Sequence, residues 1–119
     1  MLERLNRSIE FRGLAEKQGT TEKSWFYYGV GTKPWLVGYV WVSDHHRQFI
    51  GKNDYHDKKI YEGDVLSDNL SITGVVLFVD SEFVIMSENK DAFSISGLYT
   101  VIGNVDEHDY LRRKFQHVL

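Results

Sequence analysis

With 119 residues, the chain has room for one domain, or for one core with an N-terminal extension, and can bury roughly two-thirds of its unfolded surface. A net charge of −3 and a pI near 5.9 leave no molecule-wide positive field for nucleic acid, although a local basic patch stays open. The absence of cysteine excludes disulfides and thiolate chemistry and fits a reducing cytoplasm.

The first residues, Met1 to Arg7, carry no apolar core of signal-peptide length. No apolar run approaches the roughly 20 residues that span a bilayer. The expectation is therefore a soluble, cytoplasmic protein without a membrane partner. Leu2 and Leu5 suggest one short helical turn. In Ile9-Glu10-Phe11-Arg12-Gly13-Leu14, apolar positions alternate with Glu10 and Arg12, as in a half-buried strand. Glu10 and Arg12 then read as a surface pair across a strand edge. Residues 15–24 are polar, and Gly19-Thr20-Thr21 marks a loop. Trp25-Phe26-Tyr27-Tyr28 reads as a second strand, ended by Gly29-Val30-Gly31-Thr32.

After Pro34, the aromatic and β-branched run Trp35 to Val42 predicts a strand, with Gly38 marking a bulge or a close backbone approach. Ser43-Asp44-His45-His46 breaks it, Gln48-Phe49-Ile50-Gly51 resumes a short strand, and 52–57 form a polar loop. Lys58 to Leu66 then reads as a strand that bends sharply at Glu62-Gly63-Asp64 and restarts. Gly63 tolerates a positive φ, and the Asp64 carboxylate can accept amides of its own turn. A hairpin about Asp80-Ser81-Glu82 joins Val75–Val79 to Phe83–Met86. Both strands are apolar at consecutive positions, so both faces of this hairpin are expected to be covered. A bend between two twisted hairpins is how a small antiparallel sheet curls into a barrel. Asn89-Lys90-Asp91 is a loop and Leu98 to Gly103 the closing strand. Gly103-Asn104 shapes its exit, and Asp106 is placed to cap a final helix with Leu111, Phe115 and Val118 on one face.

Three separated pieces resemble the YopX family of phage and prophage proteins. Ile9-Glu10-Phe11-Arg12-Gly13 is similar to that family's opening Ile-Lys-Phe-Arg-Ala. Gln48 to Asp54, followed by Ile60-Tyr61-Glu62-Gly63-Asp64-Val65, resembles its Gln-Tyr-Thr-Gly-Leu-Lys-Asp and Ile-Tyr-Glu-Gly-Asp-Ile signature. Val101-Ile102-Gly103-Asn104-Val105 resembles its Val-Ile-Gly-Asn-Ile. Residues 15–47 have no counterpart, Asp57 stands at a usual glycine, Lys52 at a leucine and Asp109 at a usual proline. The resemblance implies a phage or prophage origin and an SH3-like barrel in the C-terminal part. It brings no reaction, and fold alone supplies none.

The expected fold is thus mainly β: an N-terminal β extension (1–45) covering an SH3-like barrel (46–119) that ends in a short helix. The motif residues Phe11, Arg12, Gly51, Asp54, Ile60, Tyr61, Glu62, Gly63, Asp64, Gly103 and Asn104 are read as structural. Asp44-His45-His46 with Asp54-Tyr55-His56-Asp57 has the donor types of a zinc site. Adjacent histidines on an extended stretch face opposite ways, however, so solvated loops are preferred and no metal or cofactor is assigned. Glu62 and Asp64 read as turn residues rather than an acid–base pair, and no catalytic residue is assigned. Gly29-Val30-Gly31 lacks the Lys-Ser/Thr of a phosphate loop. Tyr27, Tyr28, Trp35 and Tyr39, with Arg47, Lys52, Lys58 and Lys59, are candidate nucleic-acid contacts, although strand aromatics more often fill cores. The leading expectation is a non-catalytic phage accessory protein that self-associates as a homo-oligomer or binds a phage or host protein. A nucleic-acid-binding module is the alternative.

Overall fold

The computed structural model describes residues 9–119 and is mainly β, with a curled half-barrel sheet and a short C-terminal helix. The suggested turn at Leu2 and Leu5 lies outside the described residues. Two compact units succeed one another, Met1–Gly51 and Lys52–Leu119.

In the first unit, β1 (Glu10–Lys17) is the central strand. It pairs antiparallel with β2 (Lys23–Gly29) along one edge, from Glu10↔Gly29 to Glu16↔Lys23. Its other edge is shared by β3 (Tyr39–Trp41), which pairs with Ala15 to Lys17, and by the start of β4 (Arg47–Asn53), which pairs with Phe11 and Arg12. Having neighbours on both edges, β1 is buried from Arg12 to Ala15 and continues to Lys17, through residues whose polarity suggests a loop. Local composition is overruled there by the pairing with β3.

Two expectations for this unit are corrected. Arg12 is not a surface partner: it is 5% exposed, with its guanidinium 4.1 Å from the centre of the Trp25 ring. Arginine can be buried in a strand when its flat, weakly hydrated head lies on an aromatic face. The strand predicted over Trp35 to Val42 shrinks to Tyr39–Trp41. Lys33 to Leu36 are irregular. Gly38 takes φ +79° with no atom of the described residues, its chain neighbours aside, within 4 Å of where a Cβ would sit, so it serves a turn rather than a close approach.

β4 carries the chain into the second unit and neighbours β5 (Lys59–Tyr61). The remaining strands form an antiparallel sheet in the order β10-β6-β7-β8-β9, with β6 Asp64–Ser67, β7 Thr73–Val79, β8 Glu82–Ser87, β9 Ala92–Phe93 and β10 Thr100–Asn104. The short β9 has no signal in the sequence. The corner between β5 and β6 falls where the bend is predicted. Gly63 has φ +87°, its N–H donates to Val76 O at 2.8 Å, and its carbonyl accepts Val105 N–H at 3.0 Å. Asp80 and Ser81 both have positive φ (48° and 70°), as a two-residue type I′ hairpin requires.

The core of this unit joins Val65, Val75 and Val105 to Leu111 and Phe115 of helix α1 (Asp109–Phe115), with Leu77, Met86 and Val118 packed around them. The predicted apolar helix face is observed, but Val118 lies in a 3₁₀ turn, Gln116–Val118. Asp106 does not cap the helix. Its N–H is held by Asn104 Oδ1 in the preceding turn, and His108 occupies the N-cap. The β7–β8 hairpin is covered on both faces only at its base, where Val75, Val76 and Ile85 are wholly buried. Phe78 near the tip is 55% exposed.

Replacing Gly63 by Ala keeps a side chain in left-handed backbone at a turn tied on both sides. The expected cost is about 1–2 kcal/mol in urea unfolding, with an unchanged denaturant dependence.

Candidate binding surface

The motif residues of the second unit converge on loop ends. Asn104 faces Asp64, and Gly103 faces Val65, across the β10–β6 pairing, so two pieces distant in sequence become neighbours. Asp64 Oδ2 accepts Tyr61 N–H at 2.8 Å across the corner, and Ile60 and Tyr61 are buried on either side of that bond. Asn104 Oδ1 accepts the amides of Asp106 and Glu107, while its Nδ2 donates to Glu107 Oε1 at 2.8 Å. Gly103 lies under the helix: a Cβ there would come within 2.6 Å of Leu111 Cδ1. Glu62 is half-buried at the corner itself, and Gly51 turns β4 with φ +86°.

Asp54 is the most heavily engaged of these side chains. It is 6% exposed, and its carboxylate accepts three amides: His56 and Lys58 on Oδ1 and Val101 on Oδ2, each at 2.9 Å. With Tyr55 N–H donating to Tyr99 O, this loop ties itself to the outer edge of β10. Burial opposes ionisation of Asp54. The amides of Val101, Lys58 and His56, helped by the nearby His56 imidazole, outweigh it and hold the carboxyl below the usual range. Among the described residues, no group of three or more His, Asp or Glu side chains is placed to hold a metal ion.

The candidate nucleic-acid contacts take several environments. Lys52 Nζ donates to Ile95 O at 3.0 Å, Lys58 and Lys59 are exposed, and Arg47 is half-buried in the pairing with Arg12. Tyr28 does not offer an open ring. It stacks on Phe11 with centroids 5.6 Å apart, its hydroxyl is 2.6 Å from His46 Nδ1, and burial pushes its phenol pKa up. His46 is therefore not the solvated loop residue expected. Its ring lies against Trp41 with centroids 4.5 Å apart and covers Gly13, where a Cβ would fall 2.6 Å from the imidazole. His45 remains exposed.

These residues belong to one aromatic face of the first sheet. The register puts Phe11, Gly13 and Ala15 opposite Tyr28, Phe26 and Ser24, with Trp41 beside Ala15. Phe26 meets Tyr39 and Trp41 edge to face, at 5.2 and 6.0 Å. The face continues into a groove of about 470 Å³ lined by Lys33, Pro34, Trp35, Leu36, Tyr39, Val40 and Trp41. Trp35 is 93% exposed and Val37, beside it, 82%. Lys33 Nζ sits 5.6 Å from the Trp41 ring centre, and among the described residues no acidic side chain lines the groove. An aromatic, open groove with the Lys33 ammonium on its rim suits an apolar or aromatic group that carries negative charge. Sequence reasoning named Trp35 but placed it in a strand. Pro34 and Gly38, which bracket the segment, were the signal for a loop.

No family model matches the chain, and no curated protein matches it significantly. No helix among the described residues is long and apolar enough to cross a membrane.

Asp54 contributes stability that is fully present above the unfolded aspartate pKa, about 3.9, and is lost as pH falls through its lower folded value. Asp54→Asn is expected to cost about 1–3 kcal/mol at pH 7 and to flatten the acid side of the stability–pH curve. Urea unfolding between pH 7 and pH 2.5 checks both; an unaltered acid limb would contradict the assignment.

Proposed function

We propose that the chain is a non-catalytic phage or prophage accessory protein of the YopX-like kind, with an SH3-like barrel over its C-terminal part. It acts in the bacterial cytoplasm by self-association or by binding another macromolecule. The observation that carries this reading is the open groove with Trp35, Val37 and Val40 largely in water. Large apolar side chains grouped at one place on a surface mark an interaction site more often than a solvated loop. The resemblance of the three sequence pieces supports the phage origin. The turn and core roles of Asp54, Asp64 and Asn104 support a structural use for the signature, since their oxygens are engaged by backbone amides. Light scattering after size exclusion, from micromolar to millimolar protein, is expected to show mass rising with concentration. A strict monomer throughout removes self-association. If its dye-detected apolar surface also equals that of Trp35→Ser, the binding surface is removed too.

Charge distribution favours one second reading, a nucleic-acid-binding module. Residues 1–51 hold seven basic and five acidic residues, against seven and twelve in 52–119. Tyr27 and Trp35 are exposed for base stacking in the more basic half. This reading expects a single-stranded oligonucleotide to bind at low salt and to be released steeply as salt rises. No retention at low salt ends it.

A further inference from the structure

We infer that the occupant of the Lys33–Trp41 groove is the β7–β8 hairpin tip of a second copy of this chain. The inference rests on the self-association reading above and names its two surfaces.

The tip has the chemistry that the groove selects. Val76 and Ile85, then Phe78 and Phe83, are successive cross-strand pairs on one face of the hairpin. The first pair is buried. The second runs past the covered part of the sheet, with Phe78 55% exposed and its ring 4.9 Å from that of Phe83. Exposed Asp80, Ser81 and Glu82 follow at the turn, so the tip is an aromatic knob with a carboxylate rim. The groove is the converse: an aromatic and aliphatic wall with the Lys33 ammonium on its edge and, among the described residues, no carboxylate in its lining. Seating Phe78 against Trp35 and Trp41 would take apolar surface out of water on both sides, and would bring Glu82 or Asp80 toward Lys33. The sign of the contact agrees with the wider charge distribution, since the groove lies in the basic-surplus half and the tip in the acidic-surplus half.

Two features of the hairpin suit it to insertion. The type I′ turn holds the knob without a long loop that would have to be ordered on binding. The strands are anchored at their base by Val75 and the helix-side core, so the tip is presented by a rigid element. A knob in a groove covers less than a standard interface of about 1,600 Å². The association is accordingly weak and concentration-dependent. Because each copy offers one knob and one groove, the contact is heterologous and adds copies in a row or closes them in a ring.

The test is complementation between full-length variants, followed by sedimentation velocity. Trp35 and Phe78 are both exposed, so Trp35→Ser and Phe78→Ser are expected to melt like the natural chain. Each alone should be about tenfold weaker in association, the size of a modest hot-spot loss. Mixed, they should form a one-to-one dimer, because the first keeps an intact tip and the second an intact groove. Lys33→Glu and Glu82→Lys should each weaken assembly and, combined in one chain, restore it. Natural protein that stays monomeric overturns both this inference and self-association. Assembly that persists in both serine variants overturns the inference alone, as does a mixture that stays monomeric. Loss of assembly in Trp35→Ser but not in Phe78→Ser also overturns it, by assigning the groove to another occupant.

Discussion

The second unit depends on a backbone corner at Gly63. Its N–H goes to Val76 and its carbonyl to Val105, so one residue is tied to β7 and to the exit of β10. With φ +87°, this arrangement is open to glycine at little cost and to other residues only under strain. Asp64 completes the corner by holding Tyr61 N–H from within. Once the corner is set, β6 lies between β7 and β10, and Val65, Val75 and Val105 present one apolar patch. Helix α1 covers that patch through Leu111 and Phe115. The helix is only seven residues long, too short to persist alone in water, so packing rather than propensity maintains it.

Acidic and amide side chains do much of the remaining loop construction in this unit. Asp54 takes three amides, Asn104 two, and Asp68 Oδ1 those of Leu70, Ser71 and Ile72. With a single proline in the chain, turns must be stabilised by other means, and carboxylates that accept backbone N–H groups serve that purpose. The Asp68 carboxyl is held below its usual range by the amides of Leu70, Ile72 and Ser71. The acidic surplus of residues 52–119 is thus in part an architectural requirement.

The first unit is built on different physics. One face of its central strand is covered by aromatic rings packed edge to face, and the opposite face by the Arg12 guanidinium lying on the Trp25 indole. The aromatic face runs directly into the groove beside Trp35 through Tyr39 and Trp41. A pair such as Tyr28 and His46, 2.6 Å apart against Trp41, stiffens one side of that face and leaves the loop 33–38 as its open margin.

Much of the β architecture was legible in the residue pattern, because the evidence for it was local. Gly63-Asp64 announced the corner, Asp80-Ser81 the hairpin, and the spacing of Leu111 and Phe115 the helix face. Those features follow from dihedral preference and periodicity, which a short window contains. Other features came only with the tertiary structure. Arg12 alternates like a surface residue and is buried because Trp25 arrives from another strand. His46 sits in a polar run and is half-buried against Trp41 because Gly13 leaves room for an imidazole. Trp35 stands in a segment with the composition of a strand and is in water because, of that segment, only Tyr39 to Trp41 pair with β1. In each case the deciding neighbour is distant in sequence, and burial is a property of what lies opposite.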